Sequence, residues 1–225
     1  VALAPVFTLV RDTGSSQSDM VTSDDAYTIS GVESGAEVAW SVDGGTTWSG
    51  SFTPVEGKQT VMLAQVDLAG NLGVRAFDLV IDTTAPAAPG VTLTQDTGAS
   101  ATDRITSLAG LTLSGVENGA TLEYSTDGGD TWKTSIGIVE GANAFSVRQI
   151  DRAGNPSDAT SFDVTLDRIA PVAPAVSLAN DTGRSTTDGI TSDYTLALGS
   201  IEADATVEYS LDGGKTWSTS FAPPE

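Results

Sequence analysis

Phe7 and Leu9, then Tyr27 and Ile29, then Val38, Trp40 and Val42 alternate with small or polar residues. A period of two puts successive side chains on opposite faces, so each run reads as a strand with one buried face. Helical spacing is nowhere sustained. Further strands are predicted at 47–52, 59–66 and 75–81. The intervening Ser34-Gly35, Asp43-Gly44-Gly45, Glu56-Gly57 and Ala69-Gly70-Asn71 are turn chemistry. About seven short strands within roughly 85 residues predict a β-sandwich.

The pattern then returns. Asp12-Thr13-Gly14 recurs as Asp96-Thr97-Gly98 and Asp181-Thr182-Gly183. Asp43-Gly44-Gly45 with Trp48 recurs as Asp127-Gly128-Gly129 with Trp132 and Asp212-Gly213-Gly214 with Trp217. Asp67-x-Ala-Gly-Asn71 recurs once, as Asp151-x-Ala-Gly-Asn155. Strands of the second copy are predicted at 91–94, 111–114, 121–126, 132–136, 144–150 and 161–166. A period this long is one small domain per repeat, well above solenoid units. The expected domains are 1–84, 85–169 and 170–225, the third lacking its last two strands and expected to be unstable alone unless another chain supplies them. Between them lie Asp82-Thr-Thr-Ala85-Pro86-Ala-Ala-Pro89 and Asp167-Arg-Ile-Ala170-Pro171-Val-Ala-Pro174, whose paired prolines favour short, stiff, extended spacers.

Composition narrows the chemistry. The 225 residues carry 30 acidic against 10 basic side chains, a formal charge of -20, which repels nucleic acid and anionic membrane and attracts cations. Asp supplies 21 and Glu 9 of those 30 acids, favouring the short side chain that suits turns and tight oxygen cages. Cys and His are both absent. That removes disulfides, the usual zinc and copper sites, Cys–His nucleophiles and the Ser-His-Asp triad together. Hard, oxygen-ligated cations remain. No apolar run approaches the length of a membrane helix, and residues 1–10 carry no basic region of a signal peptide.

A parity argument places the acids. Domains joined end to end require an odd number of crossings, and six long strands are predicted per repeat. The segment from Asp12 to Asp24 must then return the chain to its entry pole. On that count Asp12, Asp19, the Asp43 turn and the Asp67 loop share the entry pole, and the turns at Ser34 and Glu56 the other. In the second repeat Asp96, Asp103 and Asp151 would meet Asp82 at the junction. Four carboxylates in one place need a counter-ion, and calcium, with six to eight oxygen ligands and tolerant geometry, fits better than magnesium. The second junction would use Asp167, Asp181 and Asp188, without an Asp-x-Ala-Gly-Asn loop. At the first pole Asp12, Asp19 and Asp67 would lack a preceding linker Asp. The rival reading is that each Asp closes an Asx-turn.

Ser41-x-Asp43-x-Gly45-x-Thr47-Trp48 and its copies at Ser125 and Ser210 resemble the Asp-box of bacterial sialidases and related propellers. In those families the box is a structural hairpin turn away from the active site, with Trp packed beneath it. A sialidase is the remote alternative, because arginines are few and the period is too long for propeller blades. The reading here is a tight turn with a core Trp.

Over its whole length the chain resembles the immunoglobulin-like repeats of large biofilm-associated and repeats-in-toxin surface adhesins of bacteria. The likeness rests on Asp-Thr-Gly, the later Asp-x-Ile-Thr-Ser (Asp103 to Ser107, Asp188 to Ser192, and Asp19 to Ser23 with Val21 for Ile), Asp-x-Ala-Gly-Asn and the Asp-x-x-Ala-Pro linker. It implies an all-β chain of tandem immunoglobulin-like β-sandwich domains arranged end to end. It further implies calcium at the junctions, a non-enzymatic stalk at the bacterial cell surface, and an adhesion ligand bound elsewhere in the parent protein. Leu108 stands where the other repeats have Asp24 and Asp193, so that position is not assigned to the site. A receptor- or glycan-binding module is the alternative, weakened because aromatics are 6% of residues and recur at repeat positions, as core residues do.

Overall fold

A computed structural model of the chain describes residues 3–223; Val1 and Glu225, the outer limits of the expected domains, lie outside them. Among the described residues there are fourteen strands and no helix. The chain forms two compact units, Val1–Asp167, which holds the first two sequence repeats, and Arg168–Glu225.

In repeat 1, β1 (Val6–Leu9) pairs antiparallel with β3 (Tyr27–Ser30) in one sheet. The facing sheet runs in the order β2 (Val21–Thr22), β6 (Leu72–Ile81), β5 (Gly57–Val66), β4 (Glu37–Ser41), with β2 parallel to β6 and the rest antiparallel. Alternation decides which residues meet between the sheets. Phe7 and Leu9 of the small sheet bury against Trp40, Val61, Leu63, Leu79 and Ile81 of the large one. Phe7 stacks on Tyr27 and Phe77 at centroid distances of 5.0 and 4.5 Å. Two facing sheets around one core make an immunoglobulin-like β-sandwich.

Repeat 2 repeats this design. Its small sheet pairs β7 (Gly90–Leu93) with β9 (Leu111–Ser114). Its large sheet orders β10 (Thr121–Ser125), β11 (Gly141–Ile150), β12 (Thr160–Leu166) and β8 (Ile105–Thr106). Phe145, Phe162 and Val164 form its core against Val91, Leu93 and Leu111. In the second unit β13 (Ala175–Leu178) pairs with β14 (Leu196–Gly199), and Tyr209 bridges Ser218.

The predicted strands at 47–52 and 132–136 are not strands: each reduces to one bridge, Trp40 to Ser49 and Tyr124 to Lys133. The chain therefore crosses repeat 1 five times, not six, and the 12–24 segment need not return it. Asp82 N donates to Thr22 O at 3.0 Å and Val80 N to Met20 O at 2.9 Å, which fixes this segment at the exit pole, beside the end of β6. Glu56 is also there, accepting from Thr83 N and Oγ1. The Ser34 turn joins the Asp67 loop at the entry pole, where a Cβ on Gly35 would touch Leu68 at 3.2 Å. Of the predicted placements those of the Asp67 loop and Glu56 stand, whereas the 12–24 segment and Ser34 change poles and the Asp43 turn, reached by β4 running away from the Asp67 end, leaves the entry pole.

The linker is docked, not free. Pro5 and Pro89 are fully buried, and Gln149, also fully buried, donates from Nε2 to Ala87 O at 2.6 Å and Gly115 O at 3.0 Å while its Oε1 accepts from Glu117 N. Gln65 does the same in repeat 1, toward Leu3 O and Gly31 O, with Glu33 N as its donor.

Candidate functional site

The Asp-box closes on itself. Asp43 accepts from Thr47 N at 2.9 Å, Thr47 Oγ1 at 2.6 Å and Ser41 Oγ at 2.8 Å, and Trp48 Nε1 donates to Gly45 O at 3.0 Å. The Thr47 hydroxyl, then its amide, then Ser41 hold the Asp43 carboxyl at about 2, from an ordinary 3.8. Asp127 and Asp212 are bound the same way by Thr131 and Thr216. Gly44 and Gly45 have φ of 73° and 89°, the left-handed region this turn demands. The box Trp is not a core residue: Trp48 and Trp217 are 42% and 60% exposed, and Trp132 lies under the Arg148 guanidinium, 4.0 Å from its ring centre. Trp40 takes the core position, and Tyr124 packs there in repeat 2.

The Asp-Thr-Gly loops are built to one plan in all three repeats. Thr13 Oγ1 lies 3.0 Å from both Thr22 Oγ1 and Ser23 Oγ and accepts from Ser23 N at 2.8 Å. Thr97 and Thr182 repeat these contacts with Thr106 and Ser107, and with Thr191 and Ser192. Asp12 Oδ2 accepts from Met20 N, Asp96 Oδ2 from Arg104 N and Asp181 Oδ2 from Gly189 N, at 3.1, 2.9 and 3.0 Å. Those three donors have φ of 61°, 62° and 71°. A non-glycine residue in the left-handed region costs roughly 1–2 kcal/mol and persists where its surroundings impose it, a pattern that collects at functional sites. The other oxygen, Oδ1 of Asp12, Asp96 and Asp181, is buried and has no hydrogen-bond partner in any of the three.

Asp19, Asp67, Asp82, Asp103, Asp151 and Asp188 close turns. Asp19, Asp103 and Asp188 each accept from the backbone N–H two residues on, at 3.2, 3.0 and 3.0 Å. Asp67 accepts from Asn71 N and Nδ2, and Asp151 from Asn155 N and Nδ2. The Asn71 amide first, then its backbone N–H, holds the Asp67 carboxyl below the usual carboxylate range. Asp82 accepts from Thr84 N at 3.1 Å.

The expected cluster of Asp82, Asp96, Asp103 and Asp151 does not form. The exit pole of repeat 1 brings Asp12, Asp19 and Asp82 toward the entry pole of repeat 2 with Asp151. Asp96 and Asp103 lie at the far pole of repeat 2, where Asp167 N donates to Thr106 O at 2.9 Å. Asp181 and Asp188 belong to the second unit and Asp167 to the first. Among the described residues no three acidic side chains converge as a metal-binding group.

What meets at the first junction is mostly uncharged, and the sequence reading missed it. Thr13 Oγ1 donates to Ala153 O, and Asn155 Nδ2 donates to Asp82 O at 2.7 Å. Arg152 Nη2 lies 3.3 Å from Asp19 Oδ2. The available signal was the glycine that recurs in both motifs, Gly14 in one and Gly154 in the other.

The BNR/Asp-box repeat family matches residues 123–134 and 208–219. No curated protein matches the chain. A solved structure of the fibronectin(III)-like modules of Clostridium thermocellum CbhA is similar to it, at 14% identity and a TM-score of 0.39, over 72% of this chain and 94% of that one. Among the described residues no helix is long and apolar enough to cross a membrane.

Proposed function

We propose that the chain is a stretch of stalk from a bacterial surface adhesin, extracellular and non-enzymatic, whose repeats take up calcium and thereby stiffen. Its partners on this reading are calcium ions and neighbouring repeats of the same chain, and the host or surface ligand in adhesion and biofilm formation is bound elsewhere in the parent protein.

The observation that supports it is the orphaned oxygen. A buried carboxylate oxygen without a donor costs at least the 1–3 kcal/mol of an unsatisfied polar group, more when charged. The same cost recurs at Asp12, Asp96 and Asp181. A hard cation is the complement such an oxygen lacks, and Ser23, Asp24 and Asp25 line the cleft beside Asp12. Hydroxyl, carboxylate and carbonyl oxygens suit calcium. One orphaned carboxylate oxygen per loop is a sparse shell, so the affinity belongs with extracellular modules, on the order of 10⁻⁴–10⁻³ M. An ion bound more tightly by the ordered loop than by the loose one shifts the population toward order.

Calorimetric titration of the chelator-stripped chain with calcium tests this. Heat of binding with a raised Tm is expected, and Asp12→Asn, Asp96→Asn and Asp181→Asn should each lower the number of ions bound. Absence of both heat and Tm shift would sink the calcium reading.

The exposed indoles of Trp48 and Trp217 favour a second reading, a glycan-binding module, since such faces stack on sugars. Quenching of tryptophan fluorescence by an oligosaccharide, lost in Trp48→Ala, would favour it over the stalk.

A further inference from the structure

Two loops with nearly the same sequence, 67–71 and 151–155, differ in what surrounds them. Asp67 and Asp151 are caged identically by the Asn four residues on. Ala69 is exposed, whereas Ala153 is 0% exposed, and Asp151 is buried where Asp67 is half-buried. The covering element in repeat 2 is the Asp12-Thr13-Gly14 loop of repeat 1.

The approach is backbone to backbone. A Cβ on Gly14 would lie 1.9 Å from Arg152 O, and one on Gly154 would lie 2.8 Å from Gly14 N. Contacts under 3.0 Å against backbone leave nothing that can swing aside, so only glycine fits on either side. The counterparts carry no such demand. A Cβ on Gly70 meets no described atom within 4 Å, and one on Gly98 meets only Ile105 O, at 3.9 Å. All four glycines have φ between 82° and 101°, so the local need for glycine is shared and the close approach is what differs.

Hydrogen bonds fix the register of this contact. The Asn155 amide has two N–H groups: one closes its own loop on Asp151 and the other reaches Asp82 O. Thr13, already oriented by Ser23, donates its hydroxyl proton to Ala153 O. The Arg152 side chain is more than half exposed in its pair with Asp19, at a long 3.3 Å, so that pair adds little.

We infer that Asp-Thr-Gly and Asp-x-Ala-Gly-Asn are socket and knob of one repeat-to-repeat docking interface, closed by direct glycine-to-glycine contact and needing no ion. The socket sits at the exit pole and the knob at the entry pole, so the partner of either is another repeat of this kind. Both halves hold their shape through their own internal bonds, as Thr97 and Thr182 do for the socket and Asp67 with Asn71 for the knob. Docking therefore joins preformed surfaces.

The absence of Cys makes the test clean. Spin labels at Ala76→Cys and Ala144→Cys, two exposed strand positions in successive repeats, report the junction by pulsed dipolar spectroscopy on the full chain in chelator. One narrow distance peak is expected. Gly14→Ala and Gly154→Ala should abolish it, while the matched Gly98→Ala and Gly70→Ala, with the same local strain, keep it. Asn155→Ala against Asn71→Ala repeats the comparison without a backbone clash, should a glycine variant fail to fold. A narrow peak in Gly14→Ala and Asn155→Ala would overturn the inference. So would a parent chain that is broad in chelator and narrows only with calcium, an outcome that would leave the calcium reading standing.

Discussion

Thr47 gives both its N–H and its hydroxyl to Asp43, and this pair of bonds is a stability statement as well as a geometric one. The folded carboxyl sits at about 2 against an ordinary 3.8, as does Asp212, and Asp127 lies lower still. A depressed folded value means the contribution is complete above the ordinary value and is lost as pH falls through the folded one. Urea midpoints should therefore hold steady down to about pH 4 and fall between about 4 and 2. Thr47→Val, which removes the leading hydroxyl bond, should raise the Asp43 midpoint in a carboxyl NMR titration; an unmoved midpoint would mean the hydroxyl is not what holds it. Gln149 is the other residue on which much depends. Gln149→Leu strands Ala87 O, Gly115 O and Glu117 N in a buried site, each unsatisfied group costing about 1–3 kcal/mol. A loss of about 3 kcal/mol in denaturant unfolding is expected, with the linker released as well.

At the level of strands, the large sheets are where the fold keeps its stability. β5 and β6 pair over their whole lengths, from Gly57 with Ile81 to Val66 with Leu72, and Leu63 and Leu79 between them are fully buried. Leu63→Ala should cost about 2–5 kcal/mol, read by thermal or urea unfolding. In the second unit Tyr209 bridges only Ser218, and Val176, Tyr194 and Trp217 are largely exposed. Hydrogen exchange should therefore protect β5, β6, β11 and β12 far longer than β13 and β14; equal protection would contradict this distribution of packing. These elements also show what the sequence discloses. Alternation located the long strands to within two or three residues, because Val61, Leu63, Phe145 and Val147 mark one buried face. It failed at 47–52, where Trp48 and Phe52 sit at strand-like spacing. There the Asp43 hydrogen bonds, not sheet pairing, set the backbone, and that single false crossing turned the pole assignment of Asp12 and Asp19. The loops themselves were legible from recurrence; which loop faces which was not, since polarity depends on counting crossings.

Across the whole molecule a formal charge of -20 makes two ionic effects compete, and separating them decides what calcium does. Any salt screens self-repulsion, since the Debye length shortens to about 10 Å at 0.1 M ionic strength. Sodium chloride should thus raise the Tm modestly whether or not a site exists. A bound ion acts differently: stabilisation grows as RT ln(1 + [L]/Kd), about 2.7 kcal/mol at a hundredfold excess over Kd, and applies only to the state that binds. If the orphaned oxygens of Asp12, Asp96 and Asp181 hold calcium, millimolar calcium should raise the Tm beyond sodium chloride of matched ionic strength. The excess should shrink in a chain carrying all three Asp→Asn changes. The glycine seam predicts that the distance between repeats 1 and 2 stays narrow throughout these titrations, because Gly14 and Gly154 touch with or without the ion. Identical Tm curves in the two salts would leave the acids as turn formers and the seam as the junction's sole fastening.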